Sequence, residues 1–287
     1  MTHGKCYRPG LFAICHDKPV PSESVGGVAV LPFEDFYTRT AQYMQDVDPS
    51  WLEDVLERAI ATERVALETV LGPPAGRRLL DCSCGKGTQA IPLAAPGWQV
   101  TATDATATSL HAARTRAEHY GISVEWHVSD MRGVGNLFTG RFDYVISCMG
   151  IDNLVTDSGL AEAARAMHDA LKPGGRCYIR VRNFDQLMAV RPRYEVKEER
   201  CVPNGRVIRL EDWLYDSNHH VVNAWIFLRE DFRRPGYAWD TTIFAYRRRA
   251  LGTAALGALL RAAGFENVAF LPQQSPWDPC EVLADRS

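Results

Sequence analysis

No run in this sequence approaches the roughly 18 consecutive apolar residues of a membrane-spanning helix. The longest candidate, Ala250 to Ala263, is interrupted by Gly252, Gly257 and Arg261. No early basic segment leads into an apolar stretch with a cleavage site, so a secretory leader is not expected. Excess charge of one sign is missing too. Thirty-two Lys and Arg stand against 35 Asp and Glu, a net −3, which argues against a general nucleic-acid binder. The eight cysteines, at 6, 15, 82, 84, 148, 177, 201 and 280, contain no Cys-x-x-Cys and accompany no His pair at ligand spacing. Neither a disulfide scaffold nor a structural metal is therefore expected. Cys148 in YVISCMG and Cys177 in RCYIRV sit in strand-like apolar runs, where cysteine acts as a small hydrophobe, and a reducing, cytoplasmic location follows. Internal repeats and low-complexity tracts are also absent. What is present, 46% hydrophobic and 23% charged residues, is ordinary for a folded chain able to bury a core. The length suits one large or two small domains.

Residues 1–32 mix Gly, Pro and Ser without a period and read as an irregular arm, followed by FEDFYTRTAQYM, a short aromatic helix. Ser50-Trp-Leu-Glu53 has the form of a capping box opening a helix that Gly72-Pro73-Pro74 stops. From Arg77 short apolar runs alternate with helical stretches. RRLLDCSC, WQVTATD, SVEWHVSD, FDYVISCM and RCYIRVRNF read as five strands. Helices are expected over 88–95 and 109–120, with another ending at Lys172-Pro-Gly-Gly175. That alternation predicts a doubly wound, mostly parallel, Rossmann-like α/β sheet. After residue 190 the texture becomes β-type, with Asn204-Gly205 and Ser217-Asn218 as hairpin turns. It predicts an antiparallel β insertion of three or four strands serving as a lid. The expected division is an arm and cofactor cap (1–49), a core (50–190), the lid (191–250), and a C-terminal helix and strand completing the core sheet (251–287).

The informative turn is Leu79-Leu80-Asp81-Cys82-Ser83-Cys84-Gly85-Lys86-Gly87-Thr88, between a strand and a helix. It lacks the first and third glycines of a dinucleotide fingerprint and the Gly-Lys-Ser/Thr of a P-loop. Gly85 and Gly87 still let backbone approach a ligand. Asp104 closes the second strand, where an acid can accept from both hydroxyls of a ribose. A nucleoside without a diphosphate fits this pattern better than a dinucleotide.

Five motifs in this order (LLDCSCGKGTQA, VTATDAT, HVSDMR, FDYVISCMG and LKPGG) resemble those of the class I S-adenosylmethionine-dependent methyltransferases over about residues 77–190. The resemblance implies S-adenosyl-L-methionine as cofactor. Asp81, Gly85 and Gly87 would border its methionine part, with Cys82 and Ser83 of the same turn. Asp104 would hold the ribose beside Ala105, Asp130 and Met131 would meet the adenine, and Cys148 would line the sulfonium end. Ser83 departs from the pattern, standing where many members have the first glycine. On this resemblance, Arg58 of the helix before the first strand would bind the cofactor carboxylate, and Tyr37 or Tyr43 would cap the sulfonium. Packing beneath the lid is the other reading of both tyrosines, as solvation is of Arg58.

A closer resemblance, to glycine and sarcosine N-methyltransferase-like enzymes, rests on Val181-Arg182-Asn183-Phe184-Asp185. It implies that Arg182 grips an acceptor carboxylate. The asparagine typical of that branch is rearranged in Gly150-Ile151-Asp152-Asn153. The residues themselves allow Arg180 and Arg182, alternating along one strand face, either to clamp a carboxylate or to pair with a nearby acid. Trp213, Trp225 and Trp239 could wall the acceptor or simply pack, and His219-His220 is expected at an exposed hairpin tip. The expected activity is methylation of a small carboxylate-bearing amine, with no nucleic-acid or membrane partner. Such a displacement asks for alignment in a dry site rather than a dedicated base. O- or C-methylation in secondary metabolism, and intramolecular cyclisation of the cofactor, stay open, as does a homo-oligomer built on the insertion.

Overall fold

The computed structural model describes residues 24–25, 28–215, 219–234 and 239–287. The first two strands, β1 (Ser24–Val25) and β2 (Val28–Leu31), precede helices α1 (Phe33–Val47) and α2 (Trp51–Leu71). There follow β3 (Arg78–Asp81), α3 (Ala90–Ala94), β4 (Gln99–Asp104), α4 (Ala107–His119), β5 (Glu125–Val128) and α5 (Val134–Leu137). The alternation continues through β6 (Phe142–Cys148), α6 (Asp157–Ala170), β7 (Leu171–Val181) and α7 (Phe184–Val190). Four long strands, β8 (Tyr194–Val202), β9 (Gly205–Tyr215), β10 (His220–Asp231) and β11 (Trp239–Arg249), precede α8 (Thr253–Ala262), β12 (Glu266–Phe270) and β13 (Cys280–Asp285).

The apolar runs of the middle segment become strands buried on both sides. Leu79 and Ile146 join one cluster with Leu67, Trp98 and Tyr178, while their neighbours Leu80 and Val145 join another with Phe142, Met167 and Leu256. Adjacent residues of one strand thus face opposite layers of helices, which is why the runs are apolar without alternation. The resulting seven-stranded sheet has the order β12-β13-β7-β6-β3-β4-β5. Strands β3 to β7 are mutually parallel, and β13 runs antiparallel to both β7 and β12. The chain leaves β3 toward β4 on one side and meets β6 on the other. Open α/β sheets bind ligands at such a reversal, beyond the carboxyl ends of the strands. The expected Rossmann-like architecture with an antiparallel insertion is the one observed.

The second sheet has six strands in the order β1-β2-β11-β10-β9-β8. The insertion supplies four, antiparallel in succession, and β2 lies parallel to β11. Part of the expected irregular arm is therefore strand: Val28 and Val30 pack on Val222, Ala224 and Ala245. Helix α1 and the start of α2 cover this sheet through Met44, Trp51, Val207 and Phe227.

Several boundaries differ from the sequence reading for local reasons. Ser50 does not cap α2 but takes helical dihedrals, its hydroxyl donating 2.9 Å to Asp48 Oδ1. Glu53, the other half of the expected box, is taken instead by Arg116 at 2.8 Å. The first hairpin turns on Pro203-Asn204, since Gly205 already pairs with Val202 and Asn204 carries φ +63°. Ser217-Asn218 lies outside the described residues. His220 opens β10, with Nε2 2.9 Å from the Val155 carbonyl, rather than an exposed tip. Asn183 ends β7 by capping α7, its side chain accepting 3.1 Å from Gln186 N. Arg182 therefore lies past the strand, and Arg180 and Arg182 do not share a strand face. At the C-terminus two strands complete the core sheet, not one.

Candidate active site

The turn leaving β3 is held by the acid that ends β4. Asp104 Oδ2 accepts the Gly85 N–H at 2.9 Å and Oδ1 accepts the Thr106 N–H at 2.9 Å. Burial raises its carboxyl above the ordinary value against these two backbone donors. A carboxylate has lone pairs beyond those two donors, which is what a pair of vicinal hydroxyls requires. Gly85 has φ +51°, and a Cβ there would meet the Tyr37 hydroxyl at 3.2 Å. This glycine lets Tyr37 of α1 descend onto the turn. Gly87 serves packing instead: with φ +85°, its Cβ would sit 2.8 Å from Ile91 Cδ1.

The Ser83 departure has a structural answer across the sheet. Ser83 Oγ lies 3.0 Å from Ser147 Oγ of β6, and a Cβ on Gly150 would stand only 2.4 Å from Ser83 Cβ. The space of the missing glycine is recovered by a glycine on the neighbouring loop. That loop is unusual in its backbone. Met149 takes φ +60°, a conformation uncommon for a long side chain, and donates its N–H 2.7 Å to the Arg180 carbonyl.

These elements enclose a cavity of about 300 Å³. Of the expected residues, Tyr37, Cys82, Ser83, Gly85, Asp104, Ala105, Asp130, Met131 and Cys148 line it together. Asp130 is gripped by Arg132, whose Nη2 donates at 2.7 Å to Oδ2 and whose Nε donates at 2.9 Å to Oδ1. Those bonds hold the Asp130 carboxyl below its usual range. Sequence reasoning missed Phe33, Lys86, Met149 and Asn153, which line it too. Only Lys86, between the two glycines, carried a local signal. The described lining residues include three acids, Glu34, Asp104 and Asp130, against one cation, Lys86. Such a donor set fits a nucleoside of net positive charge, as S-adenosylmethionine is.

Other expected residues lie elsewhere. Asp81 does not line the cleft. It is buried at the end of β3 with Oδ1 accepting 3.3 Å from Ser83 N and Oδ2 without a hydrogen-bond partner among the described residues. Burial pushes its carboxyl up to about 7. Arg58 points away on α2, 65% exposed and 3.8 Å from Glu198. Tyr43 packs into the second sheet, its ring 4.6 Å from that of Phe227. The three tryptophans do not form a wall on the cleft. Trp225 donates to Asn223 at 3.0 Å, and Trp239 lies under Arg206.

Trp213 supports a second cluster, between the two sheets. The Arg182 guanidinium lies 4.7 Å above the Trp213 ring, with Nη2 3.8 Å from Glu211 Oε2. Glu211 is 4% exposed, and its other oxygen takes Arg209 Nη1 at 3.3 Å. Arg248 stands 2.5 Å from Asp152 and donates 2.8 Å to the Tyr246 hydroxyl. Burial raises the pKa of Tyr246, which feels the charges of Arg248, Asp152, Arg182 and Glu211. The cluster adjoins the cleft: the Tyr246 ring lies 5.4 Å from that of Phe33, tilted by 51°, and Asp152 precedes Asn153. Arg182 Nε, Glu211 Oε2 and Asn223 Nδ2 are buried without hydrogen-bond partners among the described residues.

Comparison with known proteins agrees with this geometry. Residues 79–175, about a third of the chain, match the family model of a methyltransferase domain. The ubiquinone biosynthesis O-methyltransferase of Methylocella silvestris is 26% identical over 141 residues, which span 49% of this chain and 54% of that protein. The chain thus spans about half the length of the curated relatives it matches. Among solved structures, the S-adenosylmethionine-bound amino pentose methyltransferase of Micromonospora echinaspora superposes with a TM-score of 0.60 at 20% identity, covering 87% of this chain and 97% of that one. The sugar N-methyltransferase of Streptoalloteichus sp ATCC 53650 gives 0.58 at 20% identity, covering 94% and 99%. These two share the fold. With five ordered motifs and an acid-lined cleft at the sheet reversal, residues 79–175 match a methyltransferase domain.

Proposed function

We propose that the protein transfers the methyl group of S-adenosylmethionine to the nitrogen of a small amine that also carries a carboxylate. The observation that carries this reading is the incompletely paired Arg182–Glu211 couple over Trp213, beside the cleft. Its 3.8 Å separation is too long for a hydrogen bond. Buried polar atoms without partners are costly, and a zwitterionic acceptor would satisfy both ends: its carboxylate on the Arg182 fork, its amine toward Glu211. The names of the two structural neighbours, an amino pentose methyltransferase and a sugar N-methyltransferase, support nitrogen as the acceptor atom.

When bound, the cofactor supplies an electrophilic methyl on a sulfonium. The chain's own work is alignment and exclusion of water. Asp104 would fix the ribose, while Asp130 and Met131 would bracket the base. Tyr37 closes the cleft from above with its hydroxyl against Gly85. Cys148 would line the sulfonium end. Glu211 would accept an N–H of the neutral amine and so direct its lone pair away from itself. The acceptor ammonium loses one proton to solvent before the cleft closes on the neutral amine. The methylated ammonium formed sheds its surplus proton to solvent on release, so no buried base is required.

Incubation with S-adenosylmethionine and four probes (glycine, sarcosine, an aminodeoxy sugar nucleotide and a catechol) tests the reading by product mass and coproduct. The expected result is methylation of a carboxylate-bearing amine with release of S-adenosylhomocysteine. Arg182→Ala should raise KM for that amine about 10- to 100-fold, the loss of a charge-assisted pair, with kcat changed less. Methylation of the catechol alone, the O-methyl reading favoured by the ubiquinone biosynthesis relatives, would overturn it. So would release of methylthioadenosine, the mark of cyclisation.

A further inference from the structure

We infer that Lys86 is the residue that receives the carboxylate of the cofactor's methionine moiety, in place of the arginine expected on α2. The inference rests on the proposed use of S-adenosylmethionine and assigns one more residue of the same site.

A methionine carboxylate in a buried cleft needs a cation, and each arginine near the turn is committed elsewhere. Arg58 is exposed and turned toward Glu198. Arg180 holds Glu63, its Nη2 standing 2.6 Å from both carboxylate oxygens. Arg116 grips both oxygens of Glu53, at 2.8 and 2.9 Å, and donates 2.8 Å to the Lys86 carbonyl. Arg132 is taken by Asp130. Lys86 remains. It lines the cleft, is 7% exposed, and makes no ion pair among the described residues.

Its placement suits the role. Lys86 belongs to the turn after β3, beside Ser83 and Gly85, whereas the acids suited to ribose and adenine end β4 and follow β5. Its Nζ lies 4.6 Å over the ring of Tyr37. The ammonium is thereby held against the aromatic ring that closes the cleft. An aromatic face stabilises an ammonium only weakly compared with a carboxylate. Burial and the neighbouring Arg116 charge accordingly lower the Lys86 pKa to about 8. The acid whose charge acts on it, Glu53, is already bound by Arg116, so a desolvated cation here gains from an anionic ligand.

Two nucleoside probes separate this contact from general damage. S-adenosylhomocysteine carries the carboxylate; 5′-methylthioadenosine lacks the whole amino-acid end. Titration calorimetry on the full chain should show Lys86→Met weakening S-adenosylhomocysteine about 10- to 100-fold, the loss of one charge-assisted bond, while methylthioadenosine affinity stays at the wild-type value. Lys86→Arg, which keeps the charge, should retain most of the affinity and provides a folded control should the methionine variant unfold. Equal weakening of both ligands in Lys86→Met, or no weakening of either, would overturn the assignment. Failure of the wild type to bind S-adenosylhomocysteine would overturn the cofactor reading, and this inference with it.

Discussion

The two sheets solve the problem of buried polarity in opposite ways. In the parallel sheet the two acids that end β4 and follow β5 are already anchored at the cleft: Asp104 by two backbone N–H groups and Asp130 by Arg132. Between the sheets, Arg182, Glu211 and Asn223 keep buried atoms without hydrogen-bond partners among the described residues. A site rigid before its ligand arrives suits a cofactor shared by many enzymes, whereas a site completed by its ligand suits selection of one acceptor. On the proposed function, the acids of the cleft are set before the cofactor arrives, whereas acceptor choice would rest on the Arg182–Glu211 charges.

The largest effect should come from breaking the second region. Arg248→Met strands Asp152, which is wholly buried. We expect destabilisation by about 3–5 kcal/mol, as for removal of one partner of a buried ion pair. Urea unfolding measures it, and adding Asp152→Leu should recover much of the loss. Breaking the first region acts on affinity instead. Asp104→Ala should weaken S-adenosylhomocysteine more than about 100-fold, since two hydrogen bonds to a charged acceptor are lost. Calorimetry would read this, and an unchanged dissociation constant would contradict the ribose assignment. Gly150→Ala, driving a Cβ into Ser83, should cost about 1–3 kcal/mol as an overpacking change. Ser83→Gly in the same chain should relieve it.

A further effect sharpens the contrast through pH. Burial raises the Asp81 carboxyl to about 7 in the folded chain, above its unfolded value near 4. The native state then binds more protons than the unfolded state between those values, so this group's contribution to stability falls as pH rises from about 4 to 7 and is level above. Asp81→Asn removes that slope. Stability of the variant relative to wild type should therefore climb over the same window, as thermal unfolding at a series of pH values would register. A parallel pair of curves would mean that Asp81 titrates normally.

These contrasts also explain what could be read from the chain. Gly85, Asp104 and Asp130 were legible because each ends or follows a strand in a fixed order, and local sequence sets their geometry. Arg58 and Tyr43 were misplaced because helical periodicity says which residues share a face but not which sheet that face meets. Here α1 and α2 cover the antiparallel sheet as well as the core. The β2 strand was hidden in an aperiodic arm because its partner, β11, lies more than two hundred residues away. Glu211 and Asn223 carried no signal at all. They sit in alternating strands like any other polar positions, and only register brings Asn223 opposite Trp213. The Gly150 answer to Ser83 was equally invisible, being a contact between two loops 67 residues apart.

The central claim, that the acid-lined cleft at the sheet reversal takes S-adenosylmethionine, is tested most directly by titrating the full chain with S-adenosylhomocysteine and following its thermal unfolding. The account predicts saturable binding at one site per chain and a rise in unfolding temperature with ligand concentration. No heat of binding and no shift at saturating ligand would contradict it.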